Sequence, residues 1–266
     1  MRSSSRLVLA LAGALFAACS AMSPPPPPPG PPTPTPIPPI RIGVTADSPP
    51  FCFRQAGRLT GIEIDLASYL GQDLGRPIRA FPMAWDELIP ALVNHEIDII
   101  MSGLTITRLR QLRVAFSEPY MRSGLGALVR RSEAERSRTP AQALQRALKI
   151  GVTKGTVGEK YVRENFRDAQ VFSFATNENA IAELEQRRVD AFVSDAPIVA
   201  WYGSLEESQL LPLLNPLLTK DEIGWGFRPG EETLREKANA SLARWKRDHT
   251  LGGVLKRWLP TWEPAS

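Results

Sequence analysis

Apolar and polar positions between residues 40 and 200 trace the same rhythm twice. "IRIGVT" (40–45) is strand-like, "GIEIDLASYLGQDLG" (61–75) sets its apolar residues at helical spacing, and "IRAFPM" returns to a strand. "WDELIPALVNHE" then reads as a helix and "IDIIMSG" (97–103) as a strand. The second round runs "LKIGVT" (148–153), a helix from Val157 to Asn165, "VFSFA", a helix over "ENAIAELEQRR", and "VDAFVSD" (189–195). Short apolar strands alternating with amphipathic helices predict parallel α/β sheets, here two of them. "MRSGLGALVRRSEAERSRTP" joins the units, first extended and then as a charged loop, and "IGWGFRPG" gives a further strand and turn. The tail, "EETLREKANASLARWKRDHTLGGVLKRWL", carries Leu234, Ala238, Leu242 and Trp245, which need a surface to cover. It is expected to return to the first lobe, leaving two crossing segments near Tyr120–Gly126 and Ile223–Gly226 as a hinge. The lobes are therefore expected over 40–122 with 223–266, and over 123–222.

Residues 1–18 read as an export signal: Arg2 and Arg6, the apolar run "LVLALAGALFAA", and small residues at Ala17 and Ala18. "LFAAC" resembles the lipobox of bacterial lipoproteins, with Phe16 where leucine is usual, and that resemblance implies lipidation of Cys19. An ordinary secretory cleavage nearby is the plain alternative. "MSPPPPPPGPPTPTPIPP" follows, and the stretch 19–39 is expected to act as a semi-rigid, extended tether between membrane and folded body. The expected location is the periplasm or cell surface, anchored through Cys19.

The chain has 32 Lys+Arg against 28 Asp+Glu, and Arg2 and Arg6 leave with the signal. So balanced a body gives no electrostatic case for nucleic acid, and none is expected as a partner. With Cys19 lipidated, Cys52 stands alone in "FCFR" and reads as a buried structural thiol. His95 and His249 are the only histidines and neither has ligand-like spacing, so no metal, no cofactor and no histidine-based triad is expected.

Ligands of open α/β sheets sit beyond the carboxyl ends of strands. Those ends carry Thr45 and Asp47, Gly103 and Thr105, Thr153 to Gly158, and Ser194 and Asp195. In "SGLTITRLRQLR" a glycine admits a ligand to the backbone, a threonine offers a hydroxyl and Arg110 a carboxylate-gripping fork. The same stretch also reads as a helix capped by Thr107 with a solvated arginine face. Likewise Thr105 can simply end a strand, Thr156 and Asp195 can cap helices, and Trp85 can be a core residue at a helix start.

Taken together, "GVTADSPPFCF", "LTGIEIDLASYLGQDLG", "WDELIPALVNHEIDIIMSGLTITRLRQLRVAFSEPYMRSG", "IGVTKGTVGEKY" and "RVDAFVSDAPIVAWY" resemble the polar-amino-acid branch of bacterial extracellular solute-binding proteins, the receptors of ABC importers. The resemblance runs in order over Ile40–Pro260. It implies a two-lobed Venus-flytrap fold of two Rossmann-like lobes on a two-strand hinge. It also implies that Arg110, Thr105 and the Gly103 backbone hold an α-carboxylate, helped by backbone donors at Gly155 and Thr156, while Asp195 holds the ammonium from the other lobe. Trp85 becomes an aromatic wall, and Ser48 and Phe51 complete the expected pocket. Relatives commonly have an acidic residue at the place of Thr45 and an aromatic one at Ser48, so the side-chain pocket is expected to be roomier or more polar than usual.

The implied function is a non-catalytic, monomeric receptor for an amino acid or small carboxylate, with an inner-membrane ABC permease as its partner. Cyclohexadienyl dehydratase shares the fold and resembles the same segments, with Glu159 as a candidate general acid. A sensory lipoprotein without transport is a third reading.

Overall fold

The computed structural model describes residues 37–133, 135–205 and 209–260. The signal segment, Cys19 and the tether up to residue 36 lie outside the described residues. Two five-stranded sheets share one plan. In the first the order is Ile78–Pro82, Ile40–Val44, Ile99–Ile100, Gly226–Phe227, Ala115–Phe116; in the second it is Gln170–Phe174, Lys149–Thr153, Ala191–Asp195, Leu125–Arg130, Leu210–Leu213. The leading three strands of each are parallel, with Ile42 opposite Ala80 and Ile99, and Ile150 opposite Val171 and Ala191. The last two are antiparallel to their neighbours, a mixed character that the alternating pattern had not predicted.

Met121–Ser123 and Asp221–Ile223 pair antiparallel between the two sheets and form the two-strand hinge. The second of these lies two or three residues earlier than expected, because Gly226–Phe227 is already part of the first sheet. A further hairpin region, Asp47–Ser48, Cys52–Gln55 and Arg58–Thr60, stands beside the first sheet.

Helix Ile62–Leu74 shows how the first lobe is held. Ile62, Leu66 and Leu70, one turn apart, are wholly buried, and Gly75 ends the helix at φ 60, in the left-handed region. The tail folds as two helices, Glu232–Arg247 and Thr250–Trp258, broken at His249 with φ 65. Ala238, Leu242, Trp245, Leu251 and Val254 join Leu66, Leu70 and Trp225 in one core, so the tail does cover the first lobe. Leu66→Ala in such a core costs about 2–5 kcal/mol. In the second lobe, threonines start helices by a single device: Thr139, Thr156 and Thr176 each accept the amide three residues on.

Candidate functional site

The carboxyl ends of the parallel strands in both sheets point at one cleft. A void of about 30 Å³ is enclosed there, walled on one side by Thr45, Asp47, Ser48, Phe51, Trp85 and Gly103, and on the other by Thr153, Thr156, Asn177 and Asp195. Ligand sites usually measure about 300–1,000 Å³. The described conformation is therefore a closed one, and bonds across the cleft agree: Asn177 Nδ2 donates to Ser48 Oγ (3.3 Å), Trp85 Nε1 to the Gly155 carbonyl (3.2 Å), and Lys154 pairs with Asp86 (3.7 Å). Phe53 and Trp201 pack with their rings tilted by 55° at 5.1 Å between centroids, and Ile198 of the second lobe is buried in the core of the first. The roomier pocket expected from Ser48 is not what this conformation shows, since Asn177 reaches across to that hydroxyl.

Six expected residues meet at this void: Ser48, Phe51, Trp85, Gly103, Thr156 and Asp195. Arg110 and Gly155 instead border an open groove of about 770 Å³ at the rim, and Thr105 lines neither space.

Several expected donors prove to be engaged inside the protein. The Gly103 amide donates to Glu63 Oε1 at 2.7 Å, so it faces away from a carboxylate in the cleft; the carbonyl of Gly103 accepts no hydrogen bond among the described residues. Gly103 sits at φ 66 with the Phe51 ring only 2.8 Å from where a Cβ would lie, which explains why glycine is required. The Gly155 amide donates to Glu159 Oε2 at 2.7 Å, and the Thr156 amide to the Thr153 carbonyl at 3.3 Å. The Thr156 hydroxyl both caps its helix and donates to the Thr153 carbonyl, so its capping role is real. In the described conformation the amides of Gly103, Gly155 and Thr156, whose backbone was expected to help hold a carboxylate, are thus all engaged inside the protein.

Arg110 is held at the seam. Nη1 donates to the Thr105 carbonyl (2.9 Å), Nη2 reaches the Gly155 carbonyl (3.4 Å), and the guanidinium lies 5.2 Å from the Trp85 ring centroid. Burial lowers its pKa and nearby Asp195 and Asp221 raise it, leaving it below the ordinary arginine value yet still a cation. Two of its five N–H groups are engaged by these bonds, so a carboxylate can still be gripped. Thr107 caps the short helix Arg108–Gln111 that carries Arg110.

Asp195 opens helix Ala196–Ser204, but its side chain makes no capping bond. Its Oδ1 is buried with no hydrogen-bond partner, and so is Thr45 Oγ1. Burial, then the charge of Asp221, pushes the Asp195 pKa up to about 7, against the pull of Arg110. Asp47 is also raised, by burial and then by Glu178 across the cleft. No lysine or arginine lines the enclosed void. The void therefore offers two acids, hydroxyls and no cationic side chain to whatever enters it.

Sequence reasoning had passed over Glu63, Asn177, Glu178 and Asp221. Glu63 carried a signal: with Ala67 and Gly71 it shares a stripe that the fold buries, an odd place for an acid unless it has partners. Among the described residues no group of histidine, cysteine or acidic side chains could hold a metal ion, and no helix is long and apolar enough to cross a membrane.

Residues 40–261 match the family model of bacterial extracellular solute-binding proteins, family 3. The L-cystine-binding protein TcyJ of Escherichia coli (strain K12) is 28% identical over 218 residues, covering 82% of this chain and 81% of TcyJ. Among solved structures, the ancestral amino acid-binding protein AncCDT-1, described as a precursor of cyclohexadienyl dehydratase, is 34% identical with a TM-score of 0.77, covering 82% of this chain and 94% of its own. An ancestral arginine-binding protein bound to arginine is 30% identical with a TM-score of 0.74, covering 83% and 97%.

Proposed function

We propose, since the chain belongs to family 3 of the bacterial extracellular solute-binding proteins, that it is the extracytoplasmic receptor of an ABC importer and closes around an amino acid with a positively charged side chain. The observation that carries this reading is the buried, unpartnered Oδ1 of Asp195, in a void lined by acids and hydroxyls and by no cation. A buried carboxylate with an idle oxygen is costly unless a ligand supplies the missing donor. An α-ammonium does so, and the unpaired Gly103 carbonyl gives it a second acceptor. Arg110, at the seam with N–H groups to spare, takes the α-carboxylate.

The side-chain preference comes from Asp47 and Glu178. Neither is paired with a lysine or arginine among the described residues, and Glu178, exposed outside the void's lining, lies near enough to raise the Asp47 pKa. Joining a positive group to both converts a repulsion into two attractions. The arginine complex of the ancestral relative supports the same choice. Two charge-assisted anchors at about 1.5–3 kcal/mol each, with side-chain burial, suffice for the roughly −8 kcal/mol of a micromolar receptor.

The cleft works as a clamp: its half-sites meet only on closure, so a ligand touching both stabilises the closed form. Lipidation at Cys19 and the proline-rich tether would hold the monomeric clamp at the membrane surface, within reach of its permease.

Catalysis is not part of this proposal. Glu159, the candidate acid, is pushed up by burial but pulled down further by hydrogen bonds from Ser173, Gly155 and Arg163, so its pKa is below the ordinary glutamate value. A group held as a carboxylate is a poor general acid near neutral pH.

The test is a thermal-shift and calorimetric panel of the twenty amino acids, with citrulline as the neutral isostere of arginine. Stabilisation by arginine or lysine and weak response to citrulline is expected. Equal binding of citrulline would refute the charge preference, and silence to every amino acid would refute the receptor reading.

A further inference from the structure

Glu63 is wholly buried, one residue inside the start of helix Ile62–Leu74, and its two oxygens take three hydrogen bonds. Oε1 accepts from the Gly103 amide (2.7 Å) and the Tyr120 hydroxyl (2.7 Å), and Oε2 accepts from the Trp225 indole N–H (2.9 Å). The donors come from three separate parts of the chain. Gly103 is in the wall of the cleft. Tyr120 immediately precedes the hinge strand Met121–Ser123, and Trp225 follows the other hinge strand, Asp221–Ile223, by two residues.

An ordinary core staple would need no such distribution, and an apolar side chain of similar size would usually hold a core at least as well. A carboxylate differs in being rigid and planar, with both oxygens fixed relative to each other, so moving one donor drags the others. The surroundings leave little slack. The Tyr120 amide donates to the Ile223 carbonyl (2.9 Å), tying the hinge strands together beside Glu63. Trp225 packs against Tyr120 and Trp245 at 5.9 and 6.1 Å between ring centroids. Downstream of Gly103, Thr105 forms a bridge with Ile223.

We propose that Glu63 is a positioning residue that couples the hinge to the cleft wall, so that rotation at Tyr120 and Trp225 is transmitted through its carboxylate to the peptide plane of Gly103. The wall then presents the Gly103 carbonyl in its ligand-facing setting only when the hinge strands are in their closed one. The inference uses the clamp reading of the cleft, but its test needs no ligand, so it can fail while that reading stands and survive if the ligand class proves different.

The experiment is residue-resolved amide hydrogen exchange on the full chain, comparing wild type with Trp225→Phe. Phenylalanine keeps most of the packing and removes only the indole donor. Exchange at the Gly103 amide is expected to rise about ten-fold, while Asp98 and Met101, whose amides bond within the first sheet, keep their wild-type rates. Tyr120→Phe, which removes one hydroxyl, carries the same expectation and serves should the tryptophan variant fail to fold. A core staple would loosen all three amides together or none of them. Either of those patterns overturns the proposal.

Discussion

Replacing Asp195 by Asn separates a binding role from a structural one, because the two predict opposite signs. The carboxylate is raised from 3.8 to about 7 in the folded protein, first by burial and then by Asp221. A raised acid binds its proton more tightly folded than unfolded, so its ionisation detracts from stability as pH climbs from about 4 through 7. Three pKa steps correspond to roughly 4 kcal/mol at full ionisation. Asparagine avoids that charge but still buries a polar amide, which returns about 1–3 kcal/mol of the gain. Without ligand, Asp195→Asn is therefore expected to be more stable than wild type near pH 8 by about 1–3 kcal/mol, several degrees in Tm, and less stable than it by about 1–3 kcal/mol near pH 4, where the wild-type acid is already neutral and only the amide cost remains. Ligand binding should move the other way. Leaving a buried ammonium without its carboxylate costs about 2–5 kcal/mol, roughly thirty-fold or more in Kd. Melting curves against pH, with and without arginine, read both effects. A variant destabilised at every pH that binds like wild type would refute the argument and make Asp195 a structural residue.

Further expectations rest on the same geometry. Arg110→Ala should abolish binding of the carboxylate, by calorimetry, while the far-ultraviolet spectrum and cooperative melt stay native. Gly103→Ala should lower stability by about 1–3 kcal/mol in denaturant titration, since it forces a side chain to φ 66 against the Phe51 ring. Wild-type affinity should fall as pH drops below about 7, where Asp195 takes up its proton and can no longer attract an ammonium; a flat profile between about pH 5 and 8 would contradict this. Phe53→Ala removes an aromatic contact of Trp201 across the cleft, and ligand-induced change in tryptophan emission should shift to higher ligand concentration.

The architecture was legible because burial imposes periods on sequence: Ile62, Leu66 and Leu70 announce their helix, and Ile40–Val44 and Ile99–Ile100 are short, largely buried apolar strands. What periodicity could not show was pairing direction. Leu125–Arg130 is as apolar as a parallel strand, and only the path of the hinge makes it run antiparallel to Ala191–Asp195. In the region 47–60 "FCFR" reads as a strand and Cys52–Gln55 is one, but its partners Asp47–Ser48 and Arg58–Thr60 escaped, being two and three residues long and held by register rather than by pattern. At the site, residue types were informative but their hydrogen bonds were not. "KGT" looks the same whether its amides point to a ligand or, as here, to Glu159 and Thr153. Asp195 and Thr156 both read as caps or ligands from sequence, and the fold assigns the capping bond to the threonine alone.

That division of labour bears on what the cleft can recognise. Donors near the void are mostly consumed internally: Gly103 by Glu63, Gly155 by Glu159, the indole of Trp85 by the Gly155 carbonyl. Acceptors are left over, in the Asp195 oxygen, the Gly103 carbonyl and Asp47, which accepts only a long bond from the Ser48 hydroxyl (3.5 Å) and has no cationic partner among the described residues. A neutral hydrogen-bonding ligand would have to satisfy these acceptors while facing few partners for its own, and it would leave acids of both lobes repelling one another at closure. A cation does the reverse, since a positive group added between Asp47 and Asp195 strengthens with the same desolvation that makes those two acids expensive when alone. Arg110 fits the scheme as the exception at the rim, where one carboxylate can be gripped without placing a second cation inside the void. The proposed preference for a ligand with more positive than negative groups thus rests on where the fold has already spent its donors.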